Sequence, residues 1–163
     1  MISISNLVND IAQLLKAQQG QLVTAESCTG GLIGASLTDM PGSSLWYERG
    51  FITYSNLAKK EMLGVPEQLL KKFGAVSIEV AIAMAEGALQ HSQGTIALSV
   101  TGIAGPSGGT PDKPVGTVCF AWLAANGTAH TLKKCYPGDR HAIRLAACQE
   151  ALQGVLSLLK EIH

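Results

Sequence analysis

The chain has 163 residues, of which 47% are hydrophobic and 15% are charged. This composition is typical of a globular protein and excludes a disordered chain. Because 12 basic residues balance 12 acidic ones, no charge imbalance favours DNA or RNA, and we expect no nucleic-acid partner. The length favours a single domain over residues 1–163.

The cysteines and the amino terminus bear on the cellular compartment. Cys28, Cys119, Cys135 and Cys148 have none of the close spacings that bind metal or form redox pairs. Residues 1–15 lack the basic start and cleavage site of a signal peptide, and no apolar run reaches the roughly 18 residues of a membrane span. We therefore expect a cytoplasmic protein with reduced thiols, no metal site and no membrane partner.

Apolar periodicity and turn residues predict helices and strands in the order α-β-α-β-α-α-α-β-β-β-α. Asn126 and Gly127 predict a hairpin turn between the last two strands. This order predicts an α/β fold of three layers (α/β/α), with a mixed sheet and helices on both faces. In chain order, the predicted ranges are helix 5–17, strand 21–25, helix 30–38, strand 51–54, helices 56–63, 66–73 and 77–91, strands 95–100, 116–124 and 128–136, and helix 139–159.

The segment Val23–Gly31, VTAESCTGG, predicts a strand and then a glycine-rich corner that leads into a helix. Ser27 lies at this corner, where its hydroxyl is near the free backbone N–H groups of the next helix. The N–H groups of Thr29, Gly30 and Gly31 suit a developing oxyanion or a bound phosphate. Because a neutral serine is a weak nucleophile, Ser27 needs a base.

The sequence contains neither a convincing histidine base for Ser27 nor a convincing cysteine nucleophile in its place. The thiol of Cys28 is an alternative to Ser27, since sulfur is intrinsically more nucleophilic. A side chain next to the nucleophile on a turn points elsewhere, however, which favours the serine. The four histidines have no compelling partner in the sequence; they are His91, His130, His141 and His163.

The segment Phe51–Lys59, FITYSNLAK, supplies a candidate base. The strand is predicted to end at Tyr54, and a helix capped by Ser55 or Asn56 places Lys59 in its first turns. If Lys59 is also half-buried there, the helix dipole and burial disfavour the charged amine, and neutral Lys59 can act as a general base. Tyr54 would then relay a proton or hold the lysine. The alternative is a solvated Lys59, with Tyr54 packed in the core.

A long glycine-rich loop is predicted from Thr101 to Pro114, and loops of this length in compact domains are usually functional. Gly102 and Gly105 let the backbone approach a ligand closely, and their N–H groups suit phosphate. The spacing matches neither a Walker A loop nor a dinucleotide-binding fingerprint. Arg140, at the start of the last helix, either donates to such a phosphate or pairs with a nearby carboxylate.

Four segments in this order resemble the CinA C-terminal-domain family: AESCTGG, GFITYSNLAKKEMLGV, SVTGIAGPSGGTPDKPVGTV and GDRHAIR. The resemblance covers roughly residues 22–152. Each motif alone is weak, whereas four of them in the same order are highly specific. The resemblance implies a three-layer α/β domain, in agreement with the predicted element order.

The resemblance also implies an activity and its residues. The implied reaction hydrolyses the carboxamide of nicotinamide mononucleotide to nicotinic acid mononucleotide and ammonia, which recycles pyridine nucleotides and needs no metal or cofactor. Ser27 matches the family's nucleophile, Lys59 its base, and Tyr54 the tyrosine of the same motif. Thr101 matches the hydroxyl that opens TGIAGP, and Arg140 matches an arginine implied in substrate binding. Since family members look oligomeric, we expect a homo-oligomer.

Two other functions stay open on the sequence. A non-catalytic nucleotide-binding or interaction module, tied to competence or DNA damage as the family name suggests, would use the glycine-rich loop. Such a module has no need of Ser27, Tyr54 and Lys59 together. A hydrolase of another small amide or ester would use the same three residues, and a panel of substrates would distinguish it.

Overall fold

The computed structural model describes residues 2–162. The elements follow the predicted order, with one additional 3-10 turn at Ser43–Leu45. In chain order they are α1 (Ile4–Gln18), β1 (Leu22–Glu26), α2 (Leu32–Thr38), β2 (Tyr47–Ile52), α3 (Asn56–Leu63), α4 (Glu67–Phe73), α5 (Ile78–Gln90), β3 (Ile96–Gly102), β4 (Thr117–Ala124), β5 (Ala129–Cys135) and α6 (Arg140–Ile162).

Five strands form one mixed sheet in the order β2-β1-β3-β4-β5. β1 is parallel to β2 and β3, whereas β4 runs antiparallel to both β3 and β5. Glu26, the last residue of β1, pairs with Ile52 of β2 and with Val100 of β3. The ends of the three parallel strands therefore meet at one edge of the sheet, where ligands bind in open α/β folds. We call this edge the carboxyl edge.

Helices cover both faces of the sheet, so the predicted three-layer α/β fold is confirmed. One apolar core joins α1, α2 and α6 to sheet residues that include Leu22 and Phe120. The other joins α3, α4 and α5 to residues that include Val23 and Ala97. Leu22 and Val23 belong to different cores because successive side chains of a strand point to opposite faces. Since β1 is buried along its whole length, the residues that follow it are held between two packed layers.

Two predicted boundaries near the Ser27 corner are wrong. The helix predicted from Gly30 begins at Leu32, because Gly30 and Gly31 take positive φ angles of 59° and 104° and form the corner itself. The second strand is Tyr47–Ile52 rather than 51–54. β2 begins earlier than predicted because it pairs with β1 along the whole length of β1. This pairing forms even though β2 is an edge strand of the sheet and has polar residues.

The start of the predicted glycine-rich loop also differs. Thr101 and Gly102 are the last residues of β3, and Gly102 pairs with Val118 of β4. A Cβ atom at Gly102 would lie 2.9 Å from the Val118 side chain and 3.1 Å from the Cys28 sulfur. The absence of a side chain at this position therefore lets β4 and the Ser27 corner approach β3 closely.

The part of the chain from 2 to 162 has no helix that is both long and apolar enough to cross a bilayer. Within the same residues, no three His, Cys, Asp or Glu side chains lie close enough to share a metal ion. The cysteines at 28, 119, 135 and 148 are all free thiols.

Candidate active site

Ser27 lies at the carboxyl edge, directly after β1, and hydrogen bonds to both neighbouring strands hold it there. The Ser27 N–H donates to the Val100 carbonyl of β3 at 3.0 Å. On the other side, the Thr53 N–H donates to the Glu26 carbonyl at 2.8 Å. The Ser27 backbone is thus fixed between the ends of β2 and β3, and its side chain is 6% exposed.

Lys59 reaches Ser27 from α3, on the opposite side of the sheet from α2 and α6. The Ser55 hydroxyl accepts from the Ala58 N–H and starts α3 as the sequence predicts. The Lys59 side chain then points back towards the start of the helix, as long helical side chains do. Its Nζ donates to the Ser27 Oγ at 3.0 Å and to the Thr53 carbonyl at 3.2 Å.

The environment of Lys59 favours its neutral amine. The side chain is only 1% exposed, so the solvated alternative is wrong. Burial lowers the pKa of Lys59 from its ordinary value of 10.5, because a desolvated ammonium loses its hydration energy. Among the described residues, no carboxylate lies within ion-pair distance of its Nζ to restore the charge. A neutral amine at this position can accept the Ser27 proton.

Glu26, which the sequence analysis did not single out, anchors the helix that follows the corner. Its carboxylate is 2% exposed and lies at the amino end of α2. One oxygen accepts from the N–H groups of Gly31 and Ile33 at 3.2 and 3.0 Å, and the other accepts from Gly34 at 3.0 Å. The carboxylate thus takes the place of the side-chain cap that Gly31 cannot supply.

Arg144 of α6 was also missed and contacts the corner from the other side. Its Nε donates to the Cys28 carbonyl at 3.1 Å, and its Nη2 donates to the Thr29 carbonyl at 3.0 Å. Arg144 is half-buried, and two donors from one planar guanidinium fix two successive peptide groups.

These contacts change which N–H groups of the corner remain for an oxyanion. The expected donors included Gly30 and Gly31, but Gly30 donates to the Ser27 carbonyl and Gly31 to Glu26. Within residues 2–162, the amides of Cys28 and Thr29 donate to no other residue. Of the three predicted N–H groups, only that of Thr29 is therefore still available. The Thr29 hydroxyl is buried and also has no partner among these residues.

Tyr54 and Arg140 lie together at the carboxyl edge, after the ends of β2 and β3. Tyr54 is 59% exposed, so the alternative that packs it in the core is wrong. Its hydroxyl accepts from the Arg140 Nη2 at 2.7 Å and is not bonded to Lys59. The Arg140 Nη1 donates to the Gly105 carbonyl at 2.8 Å, so this guanidinium joins the end of β2 to the glycine-rich loop. Arg140 pairs with no carboxylate among the residues described.

Thr101, near the end of β3, is buried. Its side chain is 1% exposed, and its hydroxyl donates to the Ala75 carbonyl at 2.9 Å. This bond ties the end of β3 to the segment before α5. The hydroxyl still has an acceptor lone pair, while its proton is already used within the protein.

Neither the Cys28 thiol nor any described histidine is hydrogen-bonded to the Ser27 or Lys59 side chain. The Cys28 side chain belongs to the core between the sheet and α6, and burial raises the pKa of its thiol to about 12. At neutral pH it is a protonated thiol, which is a poor nucleophile. Among the described histidines none hydrogen-bonds to Ser27: His91 bonds to Gly87, His130 to Glu161, and His141 is exposed. His163 lies outside the described residues.

The sequence of this chain is similar to those of curated proteins. The nicotinamide-nucleotide amidohydrolase PncC of Escherichia coli K12 is 49% identical over 150 residues, which cover 92% of this chain and 91% of that protein. The protein of the same name from Pseudomonas putida is 45% identical over 158 residues, which cover 97% and 98% of the two chains.

A solved structure has the same fold, and a family model matches the sequence. The crystal structure of competence/damage inducible protein CihA from Agrobacterium tumefaciens superposes with a TM-score of 0.93 at 46% identity, over 95% of this chain and 94% of that one. The model of the CinA C-terminal domain matches residues 4–159. This chain therefore belongs to the CinA C-terminal domain family.

Proposed function

We propose that this chain is a serine amidase of the cytoplasm that hydrolyses the carboxamide of nicotinamide mononucleotide. Ser27 is the nucleophile and Lys59 the general base. The observation that carries the proposal is the 3.0 Å contact between the Nζ of buried Lys59 and the Oγ of Ser27. The substrate class comes from the names of relatives that are 45–49% identical. The product, nicotinic acid mononucleotide, would re-enter pyridine nucleotide synthesis.

The first half-reaction forms an ester on Ser27. Neutral Lys59 accepts the hydroxyl proton while the Oγ attacks the carboxamide carbon, and the carbonyl oxygen becomes an oxyanion. When this tetrahedral intermediate collapses, the C–N bond breaks. The nitrogen leaves as ammonia with the proton that Lys59 took up, which leaves the lysine neutral again.

The second half-reaction releases the acid. Lys59 removes a proton from a water molecule, whose oxygen attacks the ester carbon. The bond between this carbon and the Ser27 Oγ then breaks, and Lys59 returns the proton to the serine. One carboxamide and one water give one carboxylic acid and one ammonia, and both side chains regain their starting states.

Arg140 and Tyr54 form the substrate-binding side of the proposed site. A guanidinium has five N–H donors, of which the bonds to Gly105 and Tyr54 use two. The remaining donors of exposed Arg140 suit the phosphate of a nucleotide. Because Tyr54 is bonded to Arg140 and not to Lys59, its proposed role is to hold this guanidinium and contact the substrate.

The cost of burying Lys59 argues against a purely binding module. An amine that is 1% exposed and has no carboxylate partner among residues 2–162 destabilises the folded state. Binding a nucleotide gives no reason for this cost. A general base gives one, because a lowered pKa is what makes the amine able to accept a proton near neutral pH.

The proposal is tested by ammonia release from nicotinamide mononucleotide in the presence of a chelator. We expect wild-type turnover and none above background for Ser27→Ala, since no other nucleophile is activated in the site. Ser36→Ala is the matched control: this serine lies on α2, where its hydroxyl donates to the Leu32 carbonyl and lies 3.6 Å from the Cys148 sulfur. Full activity of Ser27→Ala would refute the mechanism.

Lys59 is tested in the same assay with a neighbouring lysine as control. Lys59→Met should lose about 10²–10⁴-fold in kcat, the usual contribution of a general base. Lys60→Met should keep wild-type activity, since Lys60 is partly exposed and pairs with Glu67. If no amide in a panel is hydrolysed by the folded wild type, the binding module replaces this proposal.

The expected homo-oligomer remains a separate part of the proposal. Several large apolar side chains are more than half exposed in the single chain, including Leu45 at 68%, Leu57 at 60% and Ile52 at 52%. Their burial between copies would be favourable. Light scattering would give the mass in solution, and a monomer at assay concentrations would contradict the expectation.

A further inference from the structure

The polypeptide at the Ser27 corner is held from two sides by side chains of opposite charge. The Glu26 carboxylate accepts from three N–H groups at the start of α2. The Arg144 guanidinium donates to the carbonyls of Cys28 and Thr29. Neither Glu26 nor Arg144 contacts Ser27 or Lys59 through a hydrogen bond, so both act on the backbone of the corner.

The contacts of Arg144 determine where the Thr29 N–H points. The peptide group between Cys28 and Thr29 is planar and trans, so its C=O and N–H point in opposite directions. Since the Cys28 carbonyl faces Arg144, the Thr29 N–H must face away from it. The next peptide group behaves in the same way, and its N–H, that of Gly30, donates to the Ser27 carbonyl.

Every other N–H group of the corner is already used. Ser27 donates to Val100, Gly30 to Ser27 and Gly31 to Glu26. This leaves the adjacent amides of Cys28 and Thr29, which have no acceptor on another residue between positions 2 and 162. The residue after a nucleophile on such a turn is well placed to donate to the oxyanion formed there.

We propose that the Cys28 and Thr29 amides are the oxyanion donors and that Arg144 is the positioning residue that orients the Thr29 amide. The peptide group that carries the Cys28 N–H is held by the bond from the Gly30 N–H to the Ser27 carbonyl. The inference rests on the proposed function, because it needs an oxyanion to form beside Ser27. Arg144 makes no contact with substrate in this scheme. It holds the two carbonyls so that no reorganisation is needed when the oxyanion appears, and its charge polarises the same peptide groups.

This role differs from that of Arg140, four residues earlier on α6. Arg140 is exposed and bonds to the Tyr54 hydroxyl on the proposed substrate-binding side, so its loss should weaken substrate binding. Donors that act only on the oxyanion stabilise the transition state alone. Their loss lowers kcat and kcat/KM equally and leaves KM unchanged.

The test compares Arg144→Ala and Arg144→Lys with the wild type in ammonia release. Arg49→Gln is the charge-matched control, because Arg49 bonds to Glu48 and His91 at the opposite end of β2. We expect Arg144→Ala to lose about 10²–10³-fold in kcat with KM unchanged, as for the loss of an oxyanion donor. The kcat of Arg144→Lys should lie between those of wild type and Arg144→Ala, because a lysine can hold only one of the two carbonyls well. Guanidinium ion, far below denaturing concentrations, should restore part of the Arg144→Ala rate.

Three outcomes would overturn the inference. The first is a wild-type kcat in folded Arg144→Ala. The second is a loss of rate that follows the loss of folded protein, measured by circular dichroism, without rescue by guanidinium. The third is a shift of the acid limb of the pH–rate profile to higher pH that accounts for the whole loss, because Arg144 would then act through the charge of Lys59.

A separate readout distinguishes this inference from the proposed substrate. Release of p-nitrophenolate from p-nitrophenyl acetate reports acylation of Ser27 whatever the natural substrate is. A wild type that is acylated without hydrolysing nicotinamide mononucleotide contradicts the proposed substrate only. Equal acylation rates of wild type and Arg144→Ala contradict the role of Arg144.

Discussion

Replacing Glu26 by glutamine should destabilise the protein, because the carboxylate is the cap of α2. The amide of glutamine has one acceptor oxygen, so its best orientation keeps the bonds from Gly31 and Ile33 and turns an NH2 group towards the Gly34 N–H. One buried charge-assisted hydrogen bond is lost, which costs about 1.5–3 kcal/mol. Loss of the negative charge at the helix start adds about 0.3–1 kcal/mol.

The free energy of unfolding should therefore fall by about 2–4 kcal/mol, from a total that is typically about 5–15 kcal/mol. For a chain of this length, Tm should fall by at least about 4 °C. Urea unfolding followed by circular dichroism gives the free energy, and a thermal scan gives Tm. Glu61→Gln is the control, since Glu61 is exposed on α3 and should stay within about 0.5 kcal/mol of wild type. Equal unfolding midpoints for Glu26→Gln and Glu61→Gln would refute the capping role.

Three further predictions follow from buried groups. Because burial lowers the pKa of Lys59 from 10.5, kcat/KM should rise with pH and level off below pH 10.5. The unfolded chain binds the extra proton between the two pKa values, so wild-type stability also rises with pH there, and Lys59→Met should lose this rise in urea unfolding. Gly154→Ala should cost about 1–3 kcal/mol in the same assay, with kcat unchanged, because the new methyl group overlaps the Trp122 indole. Cys28→Ala should retain activity, and iodoacetamide at neutral pH should modify exposed Cys135 and not buried Cys28, as peptide mass mapping would show.

The sequence predicts the elements well where local signals are strong. α3 begins and ends at the predicted residues, Asn56 and Leu63, because a serine caps its start and Gly64 in a left-handed conformation ends it. β2 was predicted too short because its first residues, Tyr47–Gly50, are polar or lack a side chain. Such residues are tolerated in this strand because it lies at the edge of the sheet.

The site is only partly predictable, because its contacts join distant segments. The sequence identifies Ser27 and Lys59 as a candidate pair, but their 3.0 Å contact depends on the packing of α3 against the sheet. Glu26 was missed although it carried a signal, since a carboxylate in an otherwise buried strand must find hydrogen-bond donors. Arg144 lies four residues after Arg140, on the same face of α6, and this spacing was the signal for its presence at the site.

The contacts of α6 with the corner have a consequence for the order in which the site forms during synthesis. Arg144 lies 116 and 115 residues from the two carbonyls that it holds, whereas Lys59 lies 32 residues from Ser27. Contacts between distant residues require closure of a long loop, and α6 leaves the ribosome after every other element described above. A nascent chain without α6 already contains the proposed nucleophile and base but lacks the side chain that bonds to the Cys28 and Thr29 carbonyls. If Arg144 orients the corner as proposed, full reactivity of Ser27 is delayed until α6 has docked.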